Sequence, residues 1–433
     1  MRVLWFANAP LPAVQIHRGE APAGSGQWMT CLLDQLVQVA GVQMEVATAH
    51  PGLDDDEFHA DGVRYFVFGQ PRFESIFEAR KRDLDRCVSL VAERKPDVVH
   101  IHGSERFFGL MAARKLIDVP ALISIQGLVD ECLPVFFGAL SPAEIWRSQG
   151  LVELATRRGH FWRYRDYLKG AKLGREILAN AKAFMGRTAW DRAHLSSVNP
   201  AAVYYHGDEL LRPQFSKGAW NLDKCERHSV IFTNGGSEPR RGLEVLIGAM
   251  RIVLREFPDA QLRLAGTLGN RRSYERFVHR RISDAGLDGA VRHLGYLNAD
   301  RMAEELQRAH VFAMPSFLEN SSNSLCEAMQ VGMPCVASYT GGIPSLLDEG
   351  WSGLMFPPGD SAMLAAAICR IFRSDDLAAR LGESARTAAS ERHSPARVVA
   401  QVMNAYHDLV SGLESANFIG VQHGKAIPCA ESR

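Results

Sequence analysis

Net charge is the first thing this chain lacks. Its 433 residues carry 49 Lys+Arg against 49 Asp+Glu, so no global field draws it to nucleic acid or another polyanion. Long apolar runs are missing too. None approaches the roughly 18 residues needed to span a bilayer, and any membrane contact is expected to be peripheral. In the opening stretch Met1-Arg-Val-Leu-Trp-Phe-Ala-Asn-Ala-Pro10 the apolar part is too short for a secretory signal. It reads as a first strand ending in a turn. The eight cysteines (Cys31, Cys87, Cys132, Cys225, Cys326, Cys335, Cys369 and Cys429) form no Cys-x-x-Cys pair and no zinc spacing. Reduced thiols in a cytoplasmic protein are the expectation. A full G-x-G-x-x-G is absent, which leaves a nicotinamide or flavin role weakly supported.

What the sequence does have is alternation. Hydrophobic content of 46% suits a globular protein, and the length suggests two domains of about 200 residues each. Short apolar runs at Val3–Ala7, Met44–Ala47, Val63–Phe68, Val98–Ile101 and Ala121–Ile125 read as strands. Helical patterns around Trp28–Val39, Ile76–Glu93 and Phe108–Leu116 separate most of them, and Ala49–Gly62 looks like a turn or hairpin link. The alternation restarts with strands at Val230–Thr233, Gln261–Leu264, Val291–Leu294, Val311–Met314 and Cys335–Ala337. Helices at Leu243–Arg255, Tyr274–Ala285, Arg301–Ala309 and Ser324–Val331 lie between them. Strand–helix alternation implies parallel sheets covered on both faces. Two doubly wound α/β units follow from the restart, and Arg212–Arg227 breaks the pattern between them. The expected division is 1–215, 216–394, a final helix in 395–413 and a loose tail at 414–433.

Two carboxylates, Glu319 and Glu327, stand in the segment Pro315-Ser-Phe-Leu-Glu-Asn-Ser-Ser-Asn-Ser-Leu-Cys-Glu-Ala-Met-Gln-Val-Gly-Met-Pro-Cys-Val-Ala-Ser338. The polar residues Asn320 to Ser324 can cap a helix, with Glu327 about one turn inside it. First-turn amides without intrahelical partners then lie between the two acids, which suits a phosphate flanked by sugar hydroxyls. This string resembles the donor-binding segment of the retaining glycosyltransferases of family 4 (glycosyltransferase group 1), which have the GT-B fold. The resemblance continues through Gly341-Gly342-Ile343-Pro344 and Gly353-Leu-Met-Phe-Pro-Pro-Gly-Asp360, and reaches back to Pro239-Arg240-Arg241-Gly242.

The resemblance implies two Rossmann-like domains facing each other across a cleft. The second domain would bind a nucleotide-diphosphate sugar and the first an acceptor. By the same resemblance Glu327 holds the ribose hydroxyls and Glu319 a hydroxyl of the donor sugar. Backbone groups near Asn320, Ser321 and Ser322 face the sugar, and those near Ser324 and Leu325 the phosphate. Arg241 matches the Lys of the common Lys-Gly pair. The upstream Arg that members often carry is replaced by Asn234-Gly235-Gly236, and Arg240 stands ready to compensate. Arginine forks suit phosphate oxygens. Gly24 and Gly26 form a glycine-bearing loop after the first strand that faces the diphosphate in the family, and Gly341 and Gly342 would bring amides there too. Ser345 replaces a Glu that often follows the Pro.

Where members carry a catalytic-site histidine, this chain has Gln126, able to hydrogen-bond a hydroxyl but not to act as an acid or base at neutral pH. His102, ending the preceding strand, is a candidate for the acceptor side, although a hydrogen-bonded strand-end histidine is the commoner case. Asp54-Asp55-Asp56 contains a D-x-D of the kind metal-dependent transferases use on another fold. It lies in a turn-like acidic run and reads as solvated, so no metal is expected; helix amides and arginines can offset a leaving diphosphate. The basic, aromatic stretch 157–182 fits a domain-surface helix with snorkelling side chains slightly better than contact with anionic lipid at the inner face of a membrane. No residue stands out as a covalent nucleophile. The expected activity is transfer of a sugar, with retention, to a glycan, a lipid-linked or a small-molecule acceptor, in polysaccharide or glycoconjugate synthesis. A GT-B UDP-sugar epimerase and a non-catalytic GT-B subunit bound to a partner transferase remain open. The sequence leaves the sugar, the base and the acceptor undefined.

Overall fold

The computed structural model describes residues 1–21, 26–71, 75–156, 159–233, 238–266, 268 and 273–412. Gly24, Asn234-Gly235-Gly236, Arg157, Arg158, Cys429 and the tail at 414–433 lie outside the described residues. The first sheet comprises β1 Arg2–Ala7, β2 Gln43–Pro51, β3 Asp56–Ala60, β4 Val63–Gln70, β5 Val98–His102, β6 Ala121–Ser124, β7 Ala183–Gly186 and β8 Val203–His206. Their order is β3-β4-β2-β1-β5-β6-β7-β8. All neighbours run parallel except the β3–β4 hairpin. That hairpin falls in the Ala49–Gly62 link, and Asp61 and Gly62 at its turn both take positive φ, as a two-residue hairpin turn requires.

The second sheet comprises β9 Glu226–Phe232, β10 Gln261–Ala265, β11 Val291–Gly295, β12 Ala309–Met314, β13 Cys335–Ser338 and β14 Leu354–Phe356, in the order β11-β10-β9-β12-β13-β14, all parallel. Apolar clusters cover both faces of each sheet, which is why the central strands are apolar almost throughout rather than alternating. Strands β7, β8 and β14, each three or four residues long, escaped the sequence reading. The helix expected at Ile76–Glu93 begins at Lys81. Phe77 is drawn instead to the long helix His160–Asn180, where its ring packs on Tyr167 and lies against Gly170.

The last helix, Pro395–Ser411, returns to the first lobe. Val398, Val402, Ala405 and Tyr406 join the core around Val3 and Trp5. Trp5 Nε1 donates to the Tyr406 hydroxyl at 2.9 Å, and that hydroxyl lies 2.6 Å from His100 Nδ1.

The lobes also meet through the segment after β6. Leu140 is buried in the core of the second lobe, and Glu144 of the helix Pro142–Arg147 pairs with Arg281. Beside them a cavity of about 350 Å³ is lined by Leu140, Glu244, Arg281 and Asp284 among others. Tyr274 donates to one oxygen of Glu244, and the other is buried without a partner among the described residues. Burial pushes the Glu244 carboxyl up to about 7. An unfolded Glu titrates near 4.3. Between that pH and about 7 the unfolded chain has already released the proton that the folded one keeps, so stability falls as pH rises through this window. Glu244→Gln is therefore expected to stabilise the protein by roughly 2–3 kcal/mol at pH 8 and by nothing at pH 4, as urea titrations at the two pH values would show. An equal effect at both would contradict it.

Candidate active site

Strand β9 sits between β10 and β12, so the loops after β9 and β12 diverge at the topological switch point, where open parallel sheets bind ligands. The β9 loop carries Glu238 and the short 3₁₀ turn Pro239–Arg241, ending at Gly242 with φ 73° before the helix Leu243–Val253. It runs backbone against backbone with the β12 loop: Phe317 N donates to Arg240 O at 2.8 Å. A Cβ on Gly242 would stand 1.9 Å from the Pro315 carbonyl oxygen.

This contact brings the predicted cations to the predicted acid. Arg241 donates to Glu319 Oε1, and Ser316 Oγ donates to the same oxygen at 2.9 Å. Arg240 pairs with Glu238 at 2.8 Å, Arg241 lies 3.6 Å from it, and Arg163 reaches it from the first lobe. Burial alone would raise the Glu238 carboxyl; the three guanidiniums overcome that and hold it down to about 2. Burial would likewise lower Arg240, yet Glu238 raises it above the ordinary arginine range.

Ser322 caps the helix Asn323–Val331, its hydroxyl accepting from Leu325 N at 3.4 Å. The Leu325 amide is therefore spent on the cap and does not face a phosphate as expected. The amides of Asn323 and Ser324 donate to no described residue and remain at the helix mouth. Glu327 follows on the same helix, 7% exposed, and meets a side-on fork from Arg212, with Nε–Oε1 and Nη2–Oε2 both 2.8 Å. Burial raises the Glu327 carboxyl and Arg212 opposes the rise.

Two other expectations change. Gly342 N donates to Glu319 O at 2.9 Å, so that amide is not offered to a phosphate. Gly341 and Gly342 serve close approach: a Cβ on either would stand 2.0 Å from the carbonyl oxygen of Glu319 or Asn320 respectively. The Asn320 side chain crosses to the first lobe, accepting from Thr188 Oγ1 at 2.8 Å and donating to Ile125 O at 3.5 Å, and Ser321 stands between it and the Ser322 cap. His102 is only 1% exposed, its ring 4.2 Å from Trp5 and 5.6 Å from Trp28 between centroids. Burial, with His100 and Arg187 beyond it, holds it neutral, and it is withdrawn from the acceptor side.

Gln126 does stand opposite the second lobe, in the residue pair after β6. Its Oε1 accepts from both Arg187 nitrogens at 3.4 Å, and its Nε2 is buried without a partner among the described residues. Arg187 is buried, pairs with Glu209 and rests 5.2 Å over Trp28. Gly26 opens the helix Gln27–Leu36 with φ 79°, and a Cβ there would lie 3.1 Å from Pro10 O. Ser345 also bridges the lobes, its hydroxyl accepting from Ala189 N at 3.0 Å. The Asp54–Asp56 run lies in the β2–β3 link, where Asp55 is bound to Arg86 at 2.7 Å and to Gly69 N at 2.7 Å. Five site residues escaped the sequence reading: Glu238, Arg187, Thr188, Glu209 and Arg212. The last two fall in or beside the stretch taken as an interdomain break.

Two Rossmann-like lobes joined by a linker, with paired acids and arginines at the switch point, define a GT-B architecture. The model for "Glycosyl transferases group 1" matches residues 219–388 and that for "Glycosyl transferase 4-like domain" matches residues 31–204. The chain belongs to the group 1 glycosyltransferases. It is 23% identical to the sulfoquinovosyl transferase of Arabidopsis thaliana over 352 residues, covering 80% of this chain and 63% of that protein. It is 32% identical to the phosphatidyl-myo-inositol mannosyltransferase of Mycobacterium leprae over 184 residues, 42% of this chain and 47% of that one. Solved structures share the fold. Sucrose-phosphate synthase from Thermosynechococcus elongatus superposes with a TM-score of 0.72 at 19% identity, over 95% of this chain and 99% of its own. Anabaena HepE in complex with UDP-glucose gives 0.65 at 15% identity, over 94% and 100%.

Proposed function

We propose that the protein is a retaining, metal-independent glycosyltransferase that moves a sugar from a nucleotide-diphosphate donor to a glycan, lipid-linked or small-molecule acceptor in polysaccharide or glycoconjugate synthesis. One observation carries this reading: Glu319 and Glu327 flank the amides of Asn323 and Ser324, which donate to no described residue, with Arg240 and Arg241 on the adjoining loop and Gln126 opposite. Glu327 takes the ribose, Glu319 a sugar hydroxyl, and the amides and arginines the diphosphate. The anomeric C–O bond to phosphate breaks as the acceptor oxygen bonds to the same face of the sugar. The acceptor proton passes to the leaving phosphate oxygen. Negative charge grows on the diphosphate, where fixed donors are worth most. Gln126 offers a hydrogen bond and no proton.

The acceptor side is drawn from surface chemistry. Trp146, Leu151, Phe161 and Leu168 are exposed within one stretch of the first lobe, beside Arg165 and Lys172. An acceptor carried on an anionic leaflet at the cytoplasmic side fits that face. Arg163, Lys169 and Arg175 are engaged with Glu238, Glu78 and Asp130, so the attraction rests on fewer cations than the sequence suggests. Among the described residues no helix is long and apolar enough to cross a membrane.

Thermal-shift measurements with UDP-, GDP-, ADP- and dTDP-sugars test the donor site. A true donor at a hundredfold its Kd adds about 2.7 kcal/mol of stability; no shift with any of them would remove the reading. Anomeric configuration of the product by NMR, in the presence of EDTA, tests retention and metal independence together.

A further inference from the structure

In the linker between β8 and β9, Asp208, Glu209 and Arg212 are each tied to a different part of the molecule. Asp208 is bound to Arg392 at 3.2 Å and to Gln401 of the last helix at 3.1 Å. Glu209 is paired with Arg187 of the first lobe. Arg212 holds Glu327 of the second lobe through its fork and rests 4.7 Å over the Phe215 ring. We propose that Arg212 is a positioning residue: from the linker it fixes the orientation and charge of Glu327, and thereby sets a preference for ribonucleotide over 2′-deoxyribonucleotide donors. The inference rests on the reading that Glu327 meets the ribose.

The geometry supplies the reason. A carboxylate offers about four acceptor positions, two on each oxygen. The side-on fork takes one from each oxygen, leaving one on each for a vicinal pair of hydroxyls. Without the fork the side chain is free to turn, and burial favours its protonated form, which has less acceptor capacity. The other titratable groups that feel the Glu327 charge are Glu209, Cys31 on the helix Gln27–Leu36, and Cys326 on its own helix. Burial with Asp34 pushes the Cys31 thiol up to about 11, and burial pushes Cys326 up to about 12. Neither thiol titrates between pH 6 and 8.5. Glu209 is locked to Arg187. Arg212 is thus the cation that keeps Glu327 in its accepting form.

Calorimetric binding of UDP, GDP and ADP, each beside its 2′-deoxy counterpart, tests this on the full chain. The unsubstituted protein should bind its preferred ribonucleotide about 10- to 100-fold more tightly than the 2′-deoxy form. In Arg212→Met that ratio should fall toward one and recover in part as the pH is raised, because burial then acts on Glu327 unopposed and a higher pH favours its carboxylate. Arg212→Lys, which keeps the charge but not the fork, should show an intermediate ratio that does not change with pH. Glu327→Gln, with Arg212 intact, should lose the preference at every pH. A loss of stability alone would lower both affinities together and leave the ratio unmoved. An unchanged ratio in Arg212→Met, or in Arg212→Lys should the methionine variant not fold, overturns the inference while leaving the donor site standing. Absence of nucleotide binding, or of any ribose preference, in the unsubstituted protein overturns the ribose reading and the inference with it.

Discussion

Arg241→Met should lower kcat/KM for the nucleotide sugar by about 10²- to 10³-fold, whereas Arg241→Lys should stay within about tenfold of the unsubstituted enzyme. Around the proposed diphosphate position stand three guanidiniums, Arg163, Arg240 and Arg241, against two carboxylates, Glu238 and Glu319. Three positive charges less two negative leave one positive charge for the ligand. Glu238, held down to about 2, stays ionised at any assay pH, so it fixes the arginines without competing for protons. Removing Arg241 takes away the whole surplus and frees Glu319 from its partner. Lysine restores a point charge but not the fork, and by resemblance it is the residue the family usually places at this position. Steady-state kinetics on the donor identified by thermal shift would decide the matter. A methionine variant within threefold of the parent would mean that Arg241 does not touch the developing charge.

Gly242→Ala should be strongly destabilising to the second lobe. The residue has φ 73°, and the new Cβ would lie 1.9 Å from the Pro315 carbonyl oxygen. Left-handed backbone costs an alanine about 1–2 kcal/mol, and forcing atoms into a packed contact adds about 1–3 kcal/mol. The expected loss is therefore about 2–5 kcal/mol. The same shift would pull the β9 loop away from the β12 loop and break the Arg241–Glu319 pairing, so donor binding should fall with stability. Gly289→Ala is the control, since nothing lies within 4 Å of its Cβ position, and it should be nearly neutral. Urea unfolding of the two variants compares them directly; equal midpoints would show that the two loops are not in contact.

Much of the site could be read from local pattern. Glu319, the capping run and Glu327 lie in one loop and the helix that follows it, and Arg240 and Arg241 are neighbours in the chain. What the pattern could not show was what each group touches. Arg212 and Glu327 are 115 positions apart, and Arg163 and Glu238 are 75. Nothing in the spacing of a lone arginine in a linker names its carboxylate. Leu325 shows the reverse error: its position in the first turn suggested a free amide, yet the Ser322 hydroxyl had already taken it. His102 read as a strand-end residue near the cleft. The indoles of Trp5 and Trp28, from two other elements, close over it.

By itself the sequence determined two parallel α/β lobes, because strand and helix periodicity and short turn signals are set by neighbours along the chain. It also singled out Glu319, Glu327, Arg240 and Arg241 at the mouth of the second sheet, but not Glu238 or Arg212. Only the tertiary structure decided which of them are free, which are clamped and by what. Asn320 turns to the other lobe, Glu327 is gripped from the linker, and Gln126 is oriented by Arg187. The physical reason is that ion pairing and burial depend on distance in space, which is fixed only when the two lobes and their linker pack together.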